Sequence, residues 1–266
     1  MSVGLATPTN ATSPAPRARV PLGQLVVDHH TRESALDAIE RLVRAGRGGR
    51  VFTPNLDHIL LVERRDDVRA AYARTALCLA DGMPLVWASR RHGQPLPERI
   101  CGADLIEPLA ERAARAGWSL FLLGGAPGAA DDAAYRLAAA HGVRIAGCVA
   151  PRIAADGTTA DAAAEAELAA QIRASGAQLV FVALGSPKQE LFIDRIADAV
   201  APAVLLGVGA GVDFLAGRVR RAPAWIGRLG FEWLFRLVVE PRRLWRRYLV
   251  GGPPALRALW RAPAAR

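Results

Sequence analysis

From Val20 onward, short apolar runs alternate with stretches in which apolar residues recur every three or four positions. The runs predict strands over residues 22–28, 50–53, 76–80, 119–123, 143–148, 179–184 and 203–208. The periodic stretches predict helices at about 34–45, 56–74, onward from Pro84, up to about 141, 161–175 and up to about 200. Thr31 is placed to cap the first, and Pro84 suits a first helical turn. The expected strands carry no polar face, so both of their sides are to be buried. A β–turn–α alternation of this kind implies an α/β fold: a Rossmann-like, mostly parallel sheet with helices on both faces.

Ligands of such sheets gather at the carboxyl ends of the strands. Most of the conspicuous polar and glycine motifs fall there: Thr53-Pro54-Asn55, Asp81-Gly82, Gly124-Gly125, Gly185-Ser186-Pro187-Lys188-Gln189 and Gly209-Ala210-Gly211. The glycine turns around residues 123–128 and 207–212 each lack one glycine of GxGxxG, and neither has a Walker lysine, which disfavours NAD and ATP. Exposed N–H groups at helix starts still suit a diphosphate.

Asp81 ends a strand before a permissive glycine and points toward the expected crevice, although Asp-Gly is also an ordinary turn. Asp57 competes as a carboxylate, but its spacing after Asn55 equally suits a first helical turn. Thr53 and Asn55 either line a sugar or nucleotide pocket or cap the following helix; capping explains one of them well and both less well. Arg99, near Gly102 and Asp104, suits a phosphate or an ordinary surface pair. Lys188 and Gln189 start a helix, where the dipole disfavours a cation unless an anion is bound. Lys188 is also the only lysine in the chain. Asp213 follows a glycine turn as a cap or as a ligand contact.

Charge changes the picture at one end. Residues 218–266 hold 12 Arg against two acids, Glu232 and Glu240, and the rest is nearly neutral within a total of +9. The basic residues are interleaved with Trp233, Phe235, Leu237, Leu244, Trp245, Tyr248 and Trp260. Trp233, Leu237, Leu244 and Tyr248 recur at helical spacing, with Pro241 expected to start a second helix. A basic amphipathic appendage suits an anionic membrane surface. RNA is the rival, but no RNA-binding motif is present. No run approaches the ~20 uncharged apolar residues of a spanning helix. Cys78, Cys101 and Cys148 form neither a CxxC pair nor a disulfide framework and fit a reducing cytoplasm. No histidines stand at metal-ligand spacing. Residues 1–19 lack the apolar core of a signal peptide and are expected to be disordered. The expected organisation is thus an extension over 1–19, a catalytic domain over 20–224 and a membrane-binding appendage over 225–266.

The ordered set of motifs resembles the WecG/TagA/CpsF glycosyltransferase family over about residues 20–250. It comprises Thr53-Pro54-Asn55, residues 80–84, Arg99 to Asp104, Leu123-Gly124-Gly125, residues 185–190, residues 207–213, Arg221-Ala222-Pro223, residues 232–236 and residues 240–243. The resemblance implies an inverting, metal-independent transfer of N-acetylmannosamine or a related hexose from a UDP-sugar to a polyprenyl-diphosphate-linked saccharide, with no cofactor. That reaction serves cell-surface polysaccharide assembly at the inner membrane face. Asp81 matches the base, Thr53 and Asn55 the sugar pocket, and Gln189 a nucleotide contact. Arg236, Arg243 and Arg246 match arginines that stabilise the departing UDP. Gly82, Arg99, Gly124, Gly125, Gly185, Lys188, Gly209 and Asp213 are the remaining expected substrate contacts. No nucleic-acid partner is expected, and an apolar tail off the membrane suits a homo-oligomer. The alternatives are a non-catalytic UDP-sugar-binding membrane adaptor and, less favoured, an NAD-dependent oxidoreductase.

Overall fold

The computed structural model describes residues 18–223, 226 and 232–261, with the side chains of Glu232, Arg236, Arg243 and Arg247 outside the description. The extension expected to be disordered lies almost wholly outside it. The first element is a hairpin, β1 (Arg19–Leu22) and β2 (Leu25–Asp28), paired antiparallel and separate from the main sheet. A single strand was expected here. Gly23, at φ 62°, makes the turn that divides it.

Helix α1 (Arg32–Ala45) starts at Thr31, whose side chain accepts from the Ser34 N–H, and ends at Gly46 in the left-handed region. Then follow β3 (Gly49–Phe52), α2 (Leu56–Arg64), α3 (Asp66–Ala73), β4 (Leu77–Cys78), α4 (Met83–Arg91), α5 (Gly102–Ala116), β5 (Ser119–Gly124), α6 (Ala129–His141) and β6 (Arg144–Val149). The chain continues through α7 (Ala162–Ala174), β7 (Leu179–Ala183), α8 (Lys188–Ile196), β8 (Val204–Gly207) and α9 (Gly211–Leu215). The helix expected over 56–74 is two helices, broken at Arg65, which has an extended backbone.

The described residues form a six-stranded sheet in the order β4-β3-β8-β7-β5-β6, parallel in every pairing. Burial explains its composition: β5, β7 and β8 are buried at every position. One face packs against α2, α3, α4, α7 and α8, and the other against α1, α5, α6 and α9. The chain leaves β7 toward β8 and leaves β5 toward β6, in opposite directions along the sheet. A crevice opens at the carboxyl edge at such a reversal.

The basic end forms α10 (Glu232–Val239), α11 (Pro241–Trp245) running into a π-turn (Arg246–Val250), and α12 (Gly252–Trp260). Pro241 starts α11, as its spacing implied. Trp233 and Tyr248 meet edge to face at 5.8 Å. Helix α12 packs on α2 and α4, burying Ala255 and Leu259 completely, so the end of the chain shares the core. No helix among the described residues is long and apolar enough to cross a membrane.

Candidate active site

The sheet is parallel, so the ends of β3, β4, β5, β7 and β8 face one side. The helices that follow them, α2, α4, α6, α8 and α9, begin there and bring the positive ends of their dipoles to one edge. Within this edge, the turns after β3 and β4 are held together by the Asp81 N–H, which donates to the Pro54 carbonyl at 2.7 Å. Asp81 therefore stands beside Thr53-Pro54-Asn55. Gly82, at φ 87°, then turns the chain into α4.

The Asp81 carboxylate is 19% exposed and lies 3.6 Å from the Arg99 guanidinium, itself 18% exposed. Arg99 also faces Asp104 at 3.7 Å, and Asp104 pairs with Arg221. Arg99 thus lies between two acids, with most of its side chain shielded from solvent. Asp81 keeps part of its side chain exposed, and a carboxylate so placed has the chemistry to accept a proton.

Thr53 and Asn55 have separate tasks. The Thr53 hydroxyl donates to the Gly207 carbonyl at 3.2 Å and is buried, joining the ends of β3 and β8. Asn55 is the cap of α2: its Oδ1 accepts from the Asp57 N–H at 3.1 Å. Asp57 accordingly sits in the first turn, as its spacing allowed. Gly102 opens α5 directly behind these groups. A Cβ there would lie 2.6 Å from the Gly207 carbonyl oxygen and 2.8 Å from Thr53 Oγ1.

Farther along the carboxyl edge, Gly124 and Gly125 form the turn after β5. A Cβ on Gly124 would lie 2.4 Å from the Ala183 carbonyl, so only glycine lets β5 and β7 end this close together. Asp213, in the first turn of α9, accepts from the Ala126 N–H at 2.7 Å and fixes that turn. Gly185 and Gly209 have positive φ, with open space where a side chain would sit. The Lys188 ammonium reaches the Ile153 carbonyl at 3.4 Å, on the loop after β6.

Gln189 is buried and used at both ends. Its Oε1 accepts from the Gly209 N–H at 2.8 Å, and its Nε2 donates to Glu190 Oε1 at 2.8 Å. Glu190 also meets His58 Nε2 at 3.3 Å. His58 Nδ1 lies 3.1 Å from the Asn55 backbone nitrogen and 3.0 Å from Asn55 Oδ1, accepting from the first when neutral and donating to the second when protonated. Burial alone would push the Glu190 carboxyl up. The positive form of His58 and the hydrogen bonds from His58 and Gln189 outweigh it and hold the group below the usual glutamate range. Sequence reasoning assigned no role to His58 and took Glu190 only as part of the motif over residues 185–190. Their signal was positional, since each falls in the first turn of a helix that follows a strand end.

Of the three arginines expected from the tail, Arg236 and Arg243 have side chains outside the described residues. Arg246 is exposed, with its guanidinium 5.3 Å over the Trp245 ring.

Residues 20–266 match the model of the glycosyl transferase WecG/TagA/CpsF family. The chain belongs to this family. The match runs past the limit near residue 250 inferred from motifs and takes in α12, in keeping with the docking of that helix on the core. The carboxyl edge brings together a partly exposed carboxylate and the starts of several helices.

Proposed function

We propose that the protein transfers a hexose, N-acetylmannosamine or a close relative, from a UDP-sugar to a polyprenyl-diphosphate-linked saccharide in cell-surface polysaccharide assembly. Asp81 takes the proton of the acceptor hydroxyl as its oxygen attacks the anomeric carbon. The bond from that carbon to the UDP oxygen breaks, its electron pair leaves with the diphosphate, and the configuration inverts. Thr53, Asn55 and Gly82 line the sugar side, with Arg99 orienting Asp81. Gly124, Gly125, Gly185, Lys188, Gln189, Gly209 and Asp213 frame the nucleotide side, where N–H groups at helix starts meet the diphosphate. Arg236, Arg243 and Arg246 neutralise the departing charge in place of a metal. The basic, aromatic-rich end holds the enzyme on the inner face of the membrane, where Trp245 and Trp260 are exposed beside arginines.

The observation that carries this reading is the placement of Asp81, paired with Arg99 and tied to Pro54 at the carboxyl edge. A non-catalytic adaptor would have no use for an accessible carboxylate there. The test is UDP release by liposome-bound protein with UDP-GlcNAc, UDP-ManNAc, UDP-glucose or UDP-ManNAcA, a lipid-diphosphate-GlcNAc acceptor and EDTA. Acceptor-dependent release from one donor is the expected result and identifies the sugar. UDP binding without release from any donor supports the adaptor instead.

A further inference from the structure

At the carboxyl edge lies a buried cluster to which the proposed transfer assigns no chemical step. The Glu190 side chain is 1% exposed and that of His58 4%. One Glu190 oxygen, Oε1, accepts from both His58 Nε2 and Gln189 Nε2. The other, Oε2, is buried without a hydrogen-bond partner among the described residues, as is the Tyr72 hydroxyl, whose ring stands edge to face with His58. A buried carboxylate with one idle oxygen is costly, and an apolar side chain of similar volume often packs at least as well. Such a group calls for a task that shape alone does not perform.

The two neighbours of Glu190 supply that task. An imidazole and a primary amide each have a donor end and an acceptor end, and nothing intrinsic decides which way either one faces. An acceptor-only carboxylate between them does decide it. It draws the Nε2 donor of Gln189 inward, which turns Gln189 Oε1 outward onto the Gly209 N–H. It holds the His58 proton on Nε2, which leaves Nδ1 of the neutral ring to accept from the Asn55 N–H. Gly209 begins the turn after β8 and Asn55 ends the turn after β3, so one oxygen orients the loops on both sides of Thr53.

We propose that Glu190 is a positioning residue: by accepting from His58 and Gln189 together it sets their polarity and thereby holds the Asn55 and Gly209 loops in the geometry that binds the donor. The functional half rests on the reading of this crevice as a UDP-sugar site, but the orientation of the two loops is measurable without any substrate.

The test is amide hydrogen exchange on the full chain, comparing native protein with Glu190→Met and Glu190→Gln. Glu190→Met removes the acceptor at similar volume and is expected to speed exchange of the Asn55 and Gly209 amides about tenfold or more, with α6 amides unchanged. Glu190→Gln keeps an acceptor oxygen and is expected to restore most of that protection. Unchanged exchange in Glu190→Met, or equal loss in both variants, overturns the proposal, because packing would then hold the loops. Gln189→Met provides a separate check, also available if Glu190→Met does not fold: it should free Gly209 and leave Asn55 protected, and the reverse pattern refutes the wiring. Titration with UDP tests the functional half. Weaker binding by Glu190→Met supports it, and native affinity despite freed amides overturns it. If the native protein binds no UDP and releases none, the donor reading fails while the exchange data still decide the clamp.

Discussion

Asp81→Asn separates the role of a base from that of a structural charge. Asparagine keeps the shape of the side chain and leaves the backbone bond from residue 81 to Pro54 in place, so the β3 and β4 turns stay together. Two losses decide the outcome. The first is the ion pair with Arg99 at 3.6 Å, between groups only 18–19% exposed; pairs at this separation are worth about 1 kcal/mol or less, a factor of about five in an equilibrium. The second is the proton acceptor, and loss of a general base costs roughly 10²–10⁴ in rate. The second effect is the larger by at least an order of magnitude. Acceptor-dependent UDP release should therefore fall by about 10²-fold or more, with the melting temperature nearly unchanged. Removing a negative charge from the crevice does not disfavour an anionic nucleotide, so UDP affinity measured by calorimetry should hold or rise. Turnover within about tenfold of native would refute Asp81 as base, and a collapse of UDP affinity would show that the charge serves binding instead.

Gly102→Ala adds a Cβ 2.6 Å from the Gly207 carbonyl and 2.8 Å from Thr53 Oγ1, mostly against backbone that does not yield cheaply. It should cost about 1–3 kcal/mol and weaken UDP binding, and native melting and affinity would refute the tight seat. Leu259→Ala, at a side chain with no exposure, should cost about 2–5 kcal/mol, lowering the melting temperature measured by calorimetry. An unchanged value would mean that α12 does not dock as described. The depressed carboxyl of Glu190 binds its proton at lower pH in the folded chain than in the unfolded one. Its stabilisation is complete above the ordinary glutamate value of 4.5 and is lost as pH falls through the lower folded value. Melting of Glu190→Gln should thus depend less on pH in that acid window than melting of the native protein. Parallel curves would refute this, since Glu40 and Asp67, also depressed, act equally in both proteins.

Much of the fold was legible because its central strands β5, β7 and β8 are buried on both faces and therefore read as unbroken apolar runs, whereas the edge strand β6 is partly exposed throughout. Where local chemistry cut across that pattern, the reading failed. Gly23 turned one expected strand into a hairpin, and the extended backbone of Arg65 divided one expected helix into two. The strand ends that gather at the site were also legible, because parallel topology places all of them on one edge. Their partners were not. Neither the bond from Thr53 to Gly207, 154 residues apart, nor the contact between His58 and Glu190, 132 apart, has any signature in local spacing. The capping question posed by Thr53 and Asn55 was likewise settled by tertiary contacts, since only Asn55 caps.

The docking of α12 bears on how the basic end is to be tested. Helices α2 and α4 begin at Asn55 and Gly82, the two turns that flank Asp81, and both carry α12 on their sides. Deleting the chain from residue 232 onward therefore strips the cover from two helices whose first turns belong to the proposed site, as well as removing arginines and exposed aromatics. Loss of activity after such a deletion says nothing about which role was lost. Point substitutions do separate them. Trp245→Ala and Trp260→Ala change side chains that are 43% and 45% exposed, so they should leave melting close to native while lowering co-sedimentation with anionic liposomes. Arg246→Ala, whose guanidinium lies over Trp245, should lower turnover on soluble acceptor analogues, where membrane binding plays no part. If both tryptophan variants co-sediment as the native protein does, the tail is not the anchor, and its charge must serve the site alone.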